Sequence, residues 1–326
     1  MRWRLARAAA AGADPAVVTR SDVEMVYRVF LQREPESEAV VAGCLQAGSV
    51  EDLCRIFLHS DEFKTRFGRF QVPLDWPPIQ VQASVEPPSL AAMVAHVART
   101  WSALGEADPY WSVLSVPDYR LDAYAANAER FRDSGRTDVH QFRAVAARQG
   151  IDLAAFRCCL ELGCGVGRVT RWLAQAFPRV VATDISGAHL AIMARELPDA
   201  AVQGVLLSAP DAIDALPGYD AFFSVIVLQH NPPPVMALIL RKILGKLQPG
   251  GIGYFQLPTY SKGYVFDAEA FLRNLPSKGE MEMHVLPQAD VFAIAEACGC
   301  KVLEVREDAY TGNGEGISNT FFVRKA

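Results

Sequence analysis

The chain of 326 residues lacks any apolar run long enough for a membrane. Its longest mainly apolar stretch, Ala221 to Leu228, is eight residues, against the ~20 of a transmembrane helix. No membrane span is expected. Cationic excess is missing too. Its 32 Lys and Arg face 37 Asp and Glu, a formal net charge of −5, and no dense basic stripe stands out. That excludes a nucleic-acid-binding face. Cysteine pairs are also wanting. Cys44, Cys54, Cys158, Cys159, Cys164, Cys298 and Cys300 are odd in number and show no C-x2-C repeat of a zinc site, so reduced thiols in a cytoplasmic protein are expected. No carboxylate cluster has metal-ligand spacing, and no metal is expected. Arg2, Arg4 and Arg7 in MRWRLARAAAAGADP invite a targeting reading. The alanines that follow are too few and too weakly hydrophobic for a secretory core, and a basic terminus of a cytoplasmic protein is expected instead.

What is present falls into three regions. Residues 14–70 read as a small helical module. SDVEMVYRVFL carries Val23, Val26, Tyr27 and Phe30 at helical spacing behind an N-cap at Ser21. PESEAVVAGCLQAG predicts a helix ending at Gly48, and SVEDLCRIFLHSDEFKTRF another, with Ser49 and Asp52 as a loose capping box. Residues 71–89 hold five prolines and read as a linker draped over a surface. Residues 90–326 form the main domain, beginning with cap helices over 90–150. From Arg157 onward, apolar strand-like runs alternate with helical patterns, which predicts an α/β fold, a Rossmann-like, mostly parallel sheet covered on both faces. The end differs: KVLEVREDAY and SNTFFVRKA, joined by TGNGEG, predict an antiparallel hairpin.

The stretch LELGCGVGRVTRWLAQAF opens with three glycines at alternate positions, Gly163, Gly165 and Gly167. A strand-to-helix turn of this kind brings backbone close to a ligand. A dinucleotide fingerprint would place its third glycine where Arg168 stands, and a bulky cation there argues against a pyrophosphate seat. Asp184, 23 residues after Glu161, ends the next strand, where a carboxylate accepts ribose hydroxyls. Glu161 borders the amino-acid end of the ligand while holding the loop. Together these imply a nucleoside with a zwitterionic, phosphate-free tail, a description that S-adenosylmethionine fits.

LELGCGVGRVT followed by VVATDIS resembles the first motif and the following acidic strand of class I S-adenosylmethionine-dependent methyltransferases. YDAFFSVIVLQHNPPP and LQPGGIGYFQLP resemble that family's fourth- and fifth-strand motifs, and the terminal hairpin resembles its reversed seventh strand. The resemblance covers roughly residues 105–326 and implies a seven-stranded sheet and S-adenosylmethionine as cofactor. It implies that Glu161, Gly163, Cys164, Gly165 and Gly167 surround the methionine part, and that Asp184 and Ile185 meet the ribose and the adenine edge. Either Ser208 or Ala209 would contact adenine, and Val227 and Gln229 would border the methionine end.

Methyl transfer to a hydroxyl is an in-line displacement aided by alignment and by a base titrating near neutrality. His230, after the fourth strand, and His284, in the insertion after the fifth, are the candidate bases. Tyr110, Trp111 and Tyr119 either close the site or pack on the sheet edge, and Arg136 is a candidate for the cofactor carboxylate. The N-terminal VYRVFLQREPESEAV and FLHSDEF resemble a small helical domain of unknown function of bacterial glycan-related proteins. That implies glycan modification, an interaction or homo-oligomerisation module, and a saccharide or other small-molecule acceptor. Alternatives stay open: a binding or scaffold protein on a degenerate methyltransferase fold, and N-methylation of a small metabolite. A nicotinamide dehydrogenase is disfavoured by Arg168 and the hairpin.

Overall fold

The computed structural model describes residues 18–67, 76–198, 201–275, 280–310 and 315–326. The N-terminal arginines and most of TGNGEG lie outside them, as do the first and last residues of the expected helical module. The chain divides into two compact units, Met1–Leu74 and Asp75–Ala326.

In the first unit, α1 (Arg20–Val26) continues as a π-helical turn, Tyr27–Leu31, and is followed by α2 (Glu38–Cys44), α3 (Val50–His59) and α4 (Asp61–Phe67). Helices this short persist only by packing. Val23, Val26, Tyr27, Leu31, Val41, Leu53 and Phe57 form their shared core. The N-cap of α1 is Thr19 rather than Ser21, because Thr19 and Asp22 close a reciprocal capping box. The second helix stops at Cys44, short of Gly48, after which the chain turns.

The second unit begins with α5 (Pro87–Ala107) and α6 (Leu121–Arg148). Within the Pro-rich stretch, Gln80–Val81 pairs in parallel with Val265–Phe266. The sheet comprises β1 (Cys158–Leu162), β2 (Arg179–Asp184), β3 (Val202–Leu206), β4 (Tyr219–Ser224), β5 (Leu247–Ser261), β6 (Cys300–Asp308) and β7 (Gly316–Lys325). Its order is β3-β2-β1-β4-β5-β7-β6, with β7 antiparallel to both neighbours and the other pairs parallel. The expected Rossmann-like sheet with a reversed final strand is therefore present. Further helices among the described residues are α7 (Thr170–Leu173), α8 (Gly187–Glu196), α9 (Pro233–Lys246), α10 (Ala268–Arg273) and α11 (Gln288–Ala297). Of the helix expected after the glycines, only Thr170–Leu173 is α-helical, and the flanking residues are turns.

Strand periodicity divides the core. Leu160 and Phe222 face a cluster with α9 residues Val235, Ile239 and Ile243, whereas Cys159 and Phe223 face Phe142 of α6. The central parallel strands β1, β2 and β4 are buried on both faces, as their continuous apolar runs require, whereas the edge strand β3 is largely exposed.

Helix α6 crosses the glycine loop closely. A Cβ on Gly135 would overlap the Arg168 carbonyl oxygen and lie 2.8 Å from its carbon. Gly135→Ala should therefore lower stability by about 1–3 kcal/mol in urea denaturation, against the ordinary gain from replacing a helical glycine. Gly245→Ala in α9, where nothing lies within 4 Å, should be neutral or stabilising. A stabilising Gly135→Ala would show that the crossing is slack.

Candidate active site

The loop after β1 is fastened to β2. Gly163 and Cys164 donate their N–H groups to the Thr183 carbonyl at 2.8 and 2.9 Å, and Gly167 donates to the Cys164 carbonyl at 3.0 Å. Gly165 donates to Asp184 Oδ2 at 2.8 Å, and Ser186 to Asp184 Oδ1 at 2.8 Å. All five of these N–H groups are thus spent inside the protein. What the glycines offer a ligand is closeness: each has positive φ (+72°, +54° and +86°), and a Cβ on Gly163 would overlap the Val227 side chain. A Cβ on Gly167 would meet Leu197 and Met193 at 2.7 and 2.9 Å, so that glycine serves packing against α8.

A cavity of about 1140 Å³, counting its open mouth, lies at the carboxyl ends of β1, β2 and β4, the usual ligand position of an open α/β sheet. Of the sequence candidates, Glu161, Gly163, Cys164, Gly165, Asp184, Ile185, Ala209, Val227 and His230 line it. Gly167, Ser208, Gln229 and His284 are not in its wall. Between Ser208 and Ala209, the wall takes Ala209, beside Leu207 and Pro210.

Glu161 is buried, and its Oε2 has no hydrogen-bond partner in the protein. Burial pushes its carboxyl up to about 7, against the opposing pull of a Thr170 hydrogen bond and the Arg168 charge. A buried orphan acceptor in a cavity wall suits a ligand cation. Arg168 also lines the cavity. Its Nη1 lies 2.7 Å from Asp138 Oδ2, an ion pair off the hydrogen-bonding direction, while its Nε has no partner. Tyr310 donates to Asp138 Oδ1 at 2.9 Å, which holds that carboxylate. Arg136, by contrast, sits over the Trp172 ring at 5.8 Å and is not in the wall.

His230 is in the wall, with its ring centroid 5.0 Å from that of Trp101. Its Nδ1 lies 2.8 Å from the Glu282 carbonyl. Since a carbonyl only accepts, Nδ1 carries the proton and Nε2 keeps its lone pair. The Gln229 amide makes a long contact to Nε2 at 3.4 Å. Burial lowers the His230 imidazolium to about 4, so the ring is neutral at neutral pH. His284 does not reach the cavity wall because both its ring nitrogens are engaged, Nδ1 with the Tyr264 hydroxyl at 2.9 Å and Nε2 with Glu282 Oε1 at 3.3 Å. Glu282 Oε2 meets His96 Nε2 at 2.6 Å. Burial would raise the Glu282 carboxyl, yet the bonds from His284 and His96 hold it below its ordinary range. His284 is thus part of the brace that carries the Glu282 carbonyl to His230.

Gln229 stands behind the wall, its Oε1 accepting from Gln256 at 3.0 Å. Gln256 Oε1 in turn accepts the Ile226 N–H at 2.8 Å, and Ile226, a β-branched residue in the wall, has φ +61°. Sequence reading missed Trp101, Ser112, Val113 and His189, all in the wall. His189 Nε2 lies 2.9 Å from Ser112 Oγ, and its Nδ1 is 3.5 Å from Asp184 Oδ1. Its position five residues past Asp184, in the first turn of α8, was the available signal. Tyr110 and Tyr119 pack with Phe131, Trp111 lies under Arg120, and none lines the cavity.

The family profile described as a methyltransferase domain matches residues 159–251, which span the glycine loop, Asp184 and the end of β4. No curated protein matches the chain. Among solved structures, magnesium protoporphyrin IX methyltransferase from Synechocystis PCC 6803 with bound SAH is 17% identical at a TM-score of 0.44, covering 61% of this chain and 87% of that one. The N-methyltransferase NodS from Bradyrhizobium japonicum WM9 with bound S-adenosyl-l-homocysteine is 15% identical at 0.45, covering 70% and 98%. A Leishmania major SAM-dependent methyltransferase is 14% identical at 0.49, covering 73% and 85%. Residues 159–251 thus carry a methyltransferase domain. Among the described residues no helix is long and apolar enough to cross a membrane.

The raised Glu161 carboxyl has a sign that can be checked. Between pH 4.5 and about 7 the folded protein keeps a proton there that the unfolded chain has lost, so unliganded stability falls as pH rises through this window and levels off above it. The full loss is on the order of 3 kcal/mol. Thermal melts of wild type against Glu161→Gln across pH 5–8 should show the gap shifting in favour of the variant as pH rises. Parallel curves would show that Glu161 is ionised throughout.

Proposed function

We propose that the protein transfers a methyl group from S-adenosylmethionine to a hydroxyl of a saccharide or other small molecule, with His230 as the base. The observation that carries the proposal is His230 in the cavity wall, held through Nδ1–H by the Glu282 carbonyl so that Nε2 is left to accept a proton.

The wall suits the cofactor. Asp184 has spent two of its roughly four acceptor positions on the loop and Ser186, leaving the others for ribose hydroxyls. The Glu161 carboxylate would receive the ammonium, and Arg168 Nε the carboxylate. Ile185, Ala209 and Leu207 would border the base. Bound there, the cofactor supplies an electrophilic methyl on a sulfonium. His230 takes the acceptor's hydroxyl proton at Nε2 as the oxygen bonds to carbon. Its low basicity is adequate, because an oxygen gaining a methyl group becomes strongly acidic. The surrounding apolar residues exclude water, which would compete as acceptor. The N-terminal helical unit is proposed to be an interaction or oligomerisation module.

The test begins with calorimetry: wild type should bind S-adenosylmethionine and Asp184→Ala at least tenfold more weakly. Absence of binding in wild type would leave only the scaffold reading. Incubation with labelled cofactor and small-molecule extracts, read by a gain of one CH2 in mass, identifies an acceptor. His230→Asn should then lower kcat by about 10²–10⁴-fold with cofactor affinity unchanged. At saturating cofactor, His230 should keep the acid limb of kcat near pH 4 rather than at the ordinary histidine value. A limb near neutrality that vanishes in His230→Asn would refute the buried, neutral ring.

A further inference from the structure

The polar groups of the cavity are unevenly placed. Asp184, His189 and Ser112 form one connected set beside the glycine loop, and Glu161 and Arg168 lie in the same part of the wall. These are the groups the cofactor reading uses. The remaining wall is apolar. Val94, Val97 and Trp101 occupy positions i, i+3 and i+7 of α5, one stripe of that helix, and Val235 and Ile239 stand at i and i+4 of α9. Val227 follows β4. Among these described wall residues only His230 and Asn231 are polar, and the Asn231 amide nitrogen is already spent on the Val227 and Leu228 carbonyls at 3.0 and 3.3 Å.

We infer that the acceptor is a flat, apolar molecule whose hydroxyl sits on an aromatic ring: a phenol rather than a sugar. The inference rests on the methyltransferase reading and narrows its acceptor class. A sugar would bring several hydroxyls into a wall whose polar side chains offer only His230 Nε2 and the Asn231 side-chain oxygen, and each hydroxyl left unpaired weakens binding by on the order of tenfold. An aromatic ring needs no such partners. It packs on Trp101, whose ring lies beside His230, and places a single hydroxyl at Nε2. The chemistry agrees. A phenol ionises near the ordinary tyrosine value of about 10, so its proton moves to a weak base more readily than that of an aliphatic alcohol, and burial makes His230 a weak base. In the step, the phenolic oxygen forms its bond to the methyl carbon as the carbon–sulfur bond breaks. The sulfur keeps the bonding pair as a thioether, and the phenolic proton goes to His230 Nε2.

The test is binding to protein first saturated with S-adenosylhomocysteine. By equilibrium dialysis, 2-naphthol should bind at least tenfold more tightly than methyl α-glucoside, a probe of comparable size. Trp101→Ala should weaken the naphthol by about tenfold and Trp101→Phe should restore most of it, with S-adenosylhomocysteine affinity unchanged in both. A glucoside that binds as well as the naphthol, or naphthol binding indifferent to Trp101→Ala, overturns the inference. The wild-type comparison stands even if the alanine variant fails to fold. Failure to bind S-adenosylhomocysteine at all overturns the methyltransferase reading and this inference with it, whereas a loaded protein that prefers the glucoside overturns this inference alone.

Discussion

The Asp184 carboxylate is the point on which the rest of the site depends. One oxygen holds the glycine loop at Gly165 and the other starts α8 at Ser186, so the ends of β1 and β2 are tied by a single side chain. Charge-assisted bonds of this kind are short and strong in a dry interior. Because Gly163 and Cys164 also donate to Thr183, the loop is rigid without any ligand. A cofactor therefore meets a preformed surface, and little binding energy goes to ordering it. The glycines contribute absence of bulk, not donors, which distinguishes this loop from a phosphate cradle whose N–H groups must be free.

The same loop is clamped from the other side. A Cβ on Gly105 of α5 would overlap Ser186 Oγ and lie 3.2 Å from His189 Nε2, as Gly135 of α6 lies against Arg168. Two helices that precede the sheet in sequence thus touch the turn after β2 and the loop after β1 through glycines, where any larger residue would push them away. The contact has a functional side. Helix α5 can lay Val94, Val97 and Trp101 over the cavity only because Gly105 lets its far end seat on α8. The acceptor wall is in this sense built on the cofactor loop.

Much of this was legible in the residues. The alternation of strands and helices, the reversed final strand and the loop with its acids follow from local pattern, because a buried parallel sheet and a glycine turn each leave short-range signatures. The wall facing the loop was not legible. Trp101 sits in an ordinary helical pattern and reaches the cavity only because α5 packs there, a long-range fact without local trace, whereas for His189 the place just past Asp184 was the one local signal. His284 failed as a candidate for a related reason. Its type and place in the insertion suit a base, but Tyr264 and Glu282 occupy both its nitrogens. Thr19 displaced Ser21 as a cap because Asp22 stands at the right offset for Thr19.

The end of β4 carries the site's backbone strain. A β-branched residue at positive φ costs of order 1–3 kcal/mol and persists only where its surroundings hold it. Ile226 is held by Gln256, whose side-chain oxygen accepts its N–H and whose nitrogen reaches Gln229 and Ser318. Gln229 then touches His230, and its backbone carbonyl accepts the N–H of His284. The turn that strains Ile226 is thereby the turn that presents His230, and one buried glutamine from the neighbouring strand fixes both. Relaxing Ile226 would let the chain leave β4 at another angle and carry His230 with it. The strain is maintained at the one place where the direction of a side chain decides whether a proton has somewhere to go.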